Sequence, residues 1–255
     1  MTIPKLKTPI VLVHGVLGFD RLRVAGWTIA CYFGNLPELL TAAGNRVFMA
    51  QLSPTGGVAE RAAQLKSLID KEVPGEPVHL MAHSMGGLDS RYMISRLQMA
   101  DRVLTLTTIG TPHRGSPFAD WGVSRLDKVV RPILGLLGIP HQAFYDLTTT
   151  RCKALNEDAP DNPGVRYFSV AGRHEGDWTS PEWQLPSSIV SQAEGANDGM
   201  VSIASATYGE STEVWDGDHI SLINWLNPLA MLRAPGRNRP KQYAALVQRL
   251  ADLGF

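Results

Sequence analysis

Val78-His79-Leu80-Met81-Ala82-His83-Ser84-Met85-Gly86-Gly87-Leu88 is the stretch from which the fold is read. Val78 to Met81 make a short, mostly apolar run. From Leu88 onward the apolar residues return at helical spacing, at Leu88, Tyr92, Met93 and Leu97. The pattern predicts a strand, a tight turn with Ser84 at its apex, and a helix. Such a turn is strained and needs small residues two before and two after the serine. Ala82 and Gly86 stand there, with Ala82 a mild departure from the glycine of the usual pattern. The turn lifts the hydroxyl above the carboxyl edge of a sheet and sets it at a helix N-terminus, where unpaired N–H groups favour developing negative charge.

Outward from this turn, strand and helix patterns alternate. Pro9–Val13 is a continuous apolar run, as expected of a parallel strand buried on both faces. His14-Gly15-Val16-Leu17-Gly18 ends it, and a loop with Phe19, Trp27, Tyr32 and Phe33 follows. Leu36–Ala43 reads as a short helix closed by Gly44, and Arg46–Leu52 as a strand. Val58–Val73 reads as an amphipathic helix with Ala62, Leu65, Leu68, Ile69 and Val73 inward. Val103–Ile109 is a strand stopped by Gly110-Thr111-Pro112. Residues 112–164 break the rhythm with Pro, Gly and the run Ile133–Ile139, and read as an insertion of short helices over the sheet edge. Val165–Ala171 resumes the sheet. A long loop leads to a last strand at Thr212–Trp215, and Ala244–Leu253 is a closing helix. The expectation is one α/β domain over residues 1–255, a mostly parallel doubly wound sheet with 112–164 as a lid or cap.

Composition narrows the function. The 255 residues are 44% apolar and 19% charged, with 24 Lys plus Arg against 24 Asp plus Glu. No basic face points to nucleic acid. No apolar segment reaches the roughly 18–20 residues needed to span a bilayer. No signal peptide is visible, which leaves a cytoplasmic protein, export without a cleavable signal and a mature secreted form all open. The two cysteines, Cys31 and Cys152, have no metal-site spacing and are expected to be free thiols.

A serine hydroxyl needs a base, and the base needs an orienting acid. Hydrolases with this turn place them in the order Ser, Asp or Glu, His. His219, in Asp216-Gly217-Asp218-His219, follows a strand near the end of the chain and is the candidate base. His113 is too early, His141 lies in the insertion and His174 precedes any good acid. Asp198, in Asn197-Asp198-Gly199, is the candidate acid, with Asp177 and Asp216 as rivals. An oxyanion hole needs two N–H groups. Met85 supplies one by following the nucleophile, and Val16 the other from the loop after the first strand. His14 is expected to orient that loop rather than to move protons.

These stretches together resemble the bacterial true lipases, triacylglycerol lipases of the α/β-hydrolase superfamily. Ile10–Phe19 (IVLVHGVLGF) and Tyr32–Pro54 (YFGNLPELLTAAGNRVFMAQLSP) are similar to that family in order. So are Ala82–Gly87 (AHSMGG), Gly110–Ser116 (GTPHRGS), Val165–Gly172 (VRYFSVAG) and Asn197–Ser202 (NDGMVS). The resemblance covers roughly 9–225. It implies the α/β-hydrolase fold, a Ser84, Asp198 and His219 triad, oxyanion donors at Val16 and Met85, and a lid within 112–164. It implies a serine ester hydrolase acting on lipid esters, met at a lipid–water interface if the insertion is a lid; composition adds the expectation of no nucleic-acid partner and no transmembrane anchor. Transfer to another acyl acceptor, hydrolysis of short soluble esters or polyesters, and a non-catalytic binding protein are the alternatives. The chemistry calls for no cofactor. Many members bind a structural calcium through an Asp two residues after the catalytic His, and Ser221 stands there. Asp177 could match the other calcium carboxylate, but one carboxylate makes a poor site for a cation that wants several oxygens. Calcium is therefore not expected to be needed for catalysis.

Overall fold

In β1 (Ile10–Val13), Ile10 and Leu12 face one side of a sheet and Val11 and Val13 the other, and all four are buried. A strand buried on both faces needs helices above and below it. The computed structural model, which describes residues 3–18, 21–24, 27–126, 142–174, 181–224 and 239–255, supplies them. In chain order the described elements after β1 are β2 (Arg21–Val24), β3 (Trp27–Cys31), α1 (Leu36–Ala42), β4 (Val47–Met49), α2 (Val58–Glu72), β5 (Val78–His83), α3 (Met85–Arg96) and β6 (Val103–Ile109). They continue with α4 (Pro117–Leu126), α5 (Gln142–Asp146), α6 (Thr149–Asp158), β7 (Arg166–Arg173), α7 (Pro181–Glu194), α8 (Ile203–Ala206), β8 (Ser211–Asp216) and α9 (Pro240–Asp252).

Six strands form one parallel sheet in the order β4-β1-β5-β6-β7-β8. Leu36 and Leu40 of α1 and Tyr243, Leu246, Val247 and Leu250 of α9 cover one face. Ala62, Leu65 and Ile69 of α2 and Met93 and Ile94 of α3 cover the other. The chain leaves β1 for β4 on one side and returns to β5 on the other. The strand order therefore reverses between β1 and β5, and the crevice at their carboxyl ends is where ligands bind in sheets of this kind. The loop after β1 and the Ser84 turn after β5 meet there.

Four local expectations change. The aromatic loop after β1 contains an antiparallel pair, β2 with β3, for which the alternation Arg21-Leu22-Arg23-Val24 was the available signal. β4 is shorter than Arg46–Leu52, because the Leu52 N–H turns away from the ladder to donate to His14 Nε2 at 3.1 Å. The long loop before Asp198 holds α7, which tolerates Pro186 in its interior. The closing helix starts at Pro240, where proline at the first helical position loses no hydrogen bond.

The described part of 112–164 is helical, as expected. It connects the neighbours β6 and β7 and lies on the start of α3, where Ala143, Leu147 and Cys152 pack with Val58, Met85 and Leu88. Asp146 Oδ2 accepts from the Val58 N–H at 2.8 Å and so caps α2, whose own N-cap is Gly57. Ile133–Ile139 lies outside the described residues. Cys31 and Cys152 are not joined in a disulfide. Among the described residues no helix is long and apolar enough to cross a membrane.

Candidate active site

Ser84 has φ 54° and ψ −129°, a region that residues with a Cβ avoid. Its position is held from three sides. The Ser84 N–H donates to Ile109 O at 2.9 Å, and the Ser84 carbonyl accepts from the Gly87 N–H at 3.1 Å and from Thr111 Oγ1 at 2.8 Å. A Cβ on Gly86 would lie 2.8 Å from both the Val13 and the His14 carbonyl oxygens, so only glycine lets α3 start against the end of β1. Ala82 is fully buried and fits, so the departure from glycine there has no structural consequence.

The loop after β1 comes close to the serine, since a Cβ on Gly15 would lie 2.7 Å from Ser84 Cβ. Three of the four N–H groups of Gly15–Gly18 are already used. Gly15 donates to Tyr32 Oη at 3.1 Å, Leu17 to Pro54 O at 2.7 Å, and Gly18 to Gly15 O at 3.3 Å. The Val16 and Met85 N–H groups meet no acceptor among the described residues. His14 orients the loop. Its Nε2 accepts from Leu52 N, which leaves the Nδ1–H to donate to Gly15 O at 2.8 Å. Arg61 adds a second brace that the sequence did not reveal. Fully buried, it donates to Asp89 Oδ2 at 2.8 Å, to Ser53 O at 2.5 Å and to His14 O at 2.7 Å.

The acid–base half is assembled from two loops. His219 Nδ1–H donates to Asp198 Oδ2 at 2.8 Å, and the His219 N–H donates to Asp198 O at 2.8 Å. Asp198 is fully buried, and its Oδ1 accepts from the Met200 and Val201 N–H groups at 3.0 and 2.8 Å. The Asn-Asp-Gly segment is at once an ordinary turn and the mount of the acid. Asn197 Oδ1 accepts from the Gly199 N–H at 2.8 Å, and Gly199 takes φ 103°. A Cβ on Gly172 would lie 2.6 Å from Asp198 Cβ, so β7 ends in glycine where the acid needs room.

Asp216, a rival acid, is exposed and meets Arg173 at 3.3 Å. Asp177 and His141 lie outside the described residues. His113 is buried away from this pair, and His174 is half-buried.

A buried chain of hydrogen bonds joins the two halves. His83 Nε2–H donates to the His219 carbonyl at 3.0 Å, so its Nδ1 is the acceptor for the Tyr32 hydroxyl at 2.8 Å. Tyr32 Oη in turn accepts from Gly15 N. The His83 and His219 rings are 4.6 Å apart between centroids. Burial, then the charge on His219, hold His83 well below the usual histidine range, and burial pushes the Tyr32 phenol up to about 12. Both stay neutral, as this donor–acceptor order requires. No local pattern marks Tyr32, which is 51 residues from its partner.

This arrangement of a strained serine, a buried His–Asp pair and two open N–H groups can carry acyl transfer. Residues 58–227 match the family described as PGAP1-like alpha/beta domain. Triacylglycerol lipase 2 of Saccharomyces cerevisiae is 34% identical over 88% of this chain and 82% of its own length. The chain belongs to the lipases of the α/β-hydrolase superfamily. As a member of that family it is a serine ester hydrolase. Against the triacylglycerol lipase of Vibrio cholerae, identity is 42% over 44% of this chain and 35% of that protein. The crystal structure of the mature Bacillus licheniformis lipase BlEst2 matches with a TM-score of 0.70 and 26% identity, over 89% of this chain and 91% of that one.

The turn after His219 does not fit the structural calcium that the family resemblance raised. Arg239, itself buried, donates to Ser221 O at 3.0 Å, to Asp216 O at 2.6 Å and to Ser221 Oγ at 3.2 Å. A guanidinium thus already takes these oxygens, and Ser221 Oγ donates to Asp218 O at 2.8 Å. Among the described residues no group of three or more His, Cys, Asp or Glu could hold a metal.

Proposed function

We propose that this lipase-family hydrolase cleaves lipid carboxylic esters through an acyl-enzyme on Ser84, with His219 as base and Asp198 as its orienting acid. The hydrogen bond from His219 Nδ1 to a fully buried Asp198, over the carboxyl ends of β6 and β7, carries the reading. His219 Nε2 takes the Ser84 proton as Oγ attacks the ester carbonyl. The Val16 and Met85 N–H groups receive the oxyanion. His219 returns the proton to the leaving alcohol, and water then repeats the sequence to release the acid. Asp198 keeps the ring in the tautomer with hydrogen on Nδ1 and stabilises the imidazolium, without taking the proton itself.

Lipid esters are favoured by the triacylglycerol lipases among its relatives and by the apolar rim of the crevice. Leu17, beside Val16, is 62% exposed, and Val16 packs against the cluster of Met85 and Leu88. Within 112–164, the described helices α4, α5 and α6 act as the cover of this groove. Calcium is not required, because Arg239 already holds the His219 turn. Labelling with a fluorophosphonate should place one adduct on Ser84, and an adduct elsewhere overturns the assignment. Initial rates on p-nitrophenyl esters from two to sixteen carbons, below and above their solubility limits, test the substrate class and the cover. Long-chain preference with a rate jump at the interface supports both. A preference for two to four carbons without a jump makes this an esterase for soluble substrates.

A further inference from the structure

Two arginines are buried in this molecule's central helices, and they are treated differently. Arg61 on α2 is neutralised by Asp89 at 2.8 Å. Arg91 on α3, seven residues beyond Ser84, is only 4% exposed, yet it makes no ion pair among the described residues. Its Nη1 donates to Asn156 Oδ1 at 2.7 Å and to His113 Nδ1 at 3.4 Å, and its Nη2 to Ala159 O at 3.3 Å. Its Cζ lies 4.2 Å from the centroid of the Tyr208 ring, and its Nε is buried without a partner. These partners are all neutral, and buried charges are ordinarily paired.

Arg91 lines a cavity of about 250 Å³ together with His113, Arg114, Asn156, Asp161 and Tyr208. The side chain of Arg114, the second cation, donates among the described residues to the carbonyls of Ala204 and Thr207. The one carboxylate of the lining, Asp161, accepts from the Tyr208 hydroxyl. His113 stacks on Tyr208 with ring centroids 4.0 Å apart. Burial, then the charges of Arg91 and Arg114, hold this histidine well below its usual range. It is therefore neutral and registers the positive field of the two guanidinium groups. The cavity is too small for a long acyl chain, and two arginines facing it match the oxygens of a small anion.

We propose that this cavity is a second, non-catalytic site that binds a small oxyanion, a carboxylate or a phosphate, between Arg91 and Arg114. The His113-Arg114 segment continues from Gly110, where a Cβ would lie 3.1 Å from Asp198 Oδ2 and 3.3 Å from His219 Nδ1. An anion there ties down the loop that runs past the acid–base pair.

The test is titration calorimetry and melting of the full chain with inorganic phosphate or butyrate, against sodium chloride at equal ionic strength. Saturable binding is expected, with Tm raised by a few degrees at about fifty times Kd. Arg114→Gln, at an exposed side chain, should weaken binding at least fivefold. Asp161→Asn, which removes the only carboxylate of the lining, should tighten it. Saturation by phosphate alone or by butyrate alone supports the site and names its ligand. If neither anion binds, if chloride raises Tm equally, or if both variants bind as the parent does, the proposal is wrong.

Discussion

Ser84 is carried by one continuous stretch, Val78–Leu88, whereas Asp198 and His219 stand on two separate loops, after α7 and after β8, and are held partly by their own loops and partly by Gly172 and Arg239. On the nucleophile side the turn stores backbone strain, of order 1–3 kcal/mol for such a residue, against hydrogen bonds from β6 and Thr111. On the acid–base side no residue of the pair is strained. Space made by Gly172, the N–H groups of Met200 and Val201, and the Arg239 guanidinium fix the geometry instead. Strain is specified locally, and long-range clamps can be exchanged. The nucleophile side should thus fail outright when altered, and the acid–base side by degrees.

Ser84→Ala tests the first half of that contrast. Its kcat should fall by about 10⁴–10⁶ with the fold intact, as read by ester hydrolysis and circular dichroism. Asp198→Asn should cost about 10³–10⁴, while Asp216→Asn leaves kcat unchanged within about twofold. Equal losses at the two aspartates would remove the acid assignment.

Arg239→Gln probes the clamp. It leaves the Asp216 and Ser221 carbonyls without their guanidinium partner, and kcat should drop roughly ten- to hundredfold. Millimolar calcium should not restore the variant, and EDTA should not slow the parent enzyme. Restoration by calcium would show that a cation site survives beneath the arginine.

The buried histidines set the next effect. His83 and His113 are held well below the usual range, and His79 is lowered to about 4, each first by burial. The unfolded chain therefore binds protons that the folded one refuses, and stability is lost as the pH falls below about 6.5 toward those lowered values. Each such histidine removes up to about 1.4 kcal/mol per pH unit in that window. Urea unfolding at pH 7 and pH 5 measures the loss. Replacing His79 by Gln should flatten the slope, since this ring lies outside the catalytic network and its Nδ1 meets only Thr105.

The smallest expected change is at the bridge between the two halves. Tyr32→Phe removes the hydroxyl shared by Gly15 and His83, and kcat should fall about three- to tenfold with KM nearly constant. A silent Tyr32→Phe would mean that each half is positioned independently.

The Ser84 turn, the alternation of strands and helices and the triad candidates were legible because each rests on chain-local patterning: apolar runs, small residues at a strained turn, and a fixed order of Ser, Asp and His. The choice of Asp198 over Asp216 was less so, because both sit in Gly-containing loops. The structure separates them by burying one against His219 and leaving the other in solvent with Arg173. The β2–β3 pair was missed although its alternation was present. Helix α7 was missed because Pro186 and the serines beside it weaken a helical pattern.

The sequence by itself determined that a serine would be lifted over a parallel sheet, because periodicity and residue size act within a few residues of the chain. Only the tertiary structure decided that Tyr32 and His83 tie the β1 loop to His219, that Arg239 takes the oxygens of the His219 turn, and that Arg91 is buried with neutral hydrogen-bond partners among the described residues. Those outcomes depend on which distant groups share a low-dielectric space, and no local pattern encodes that distance.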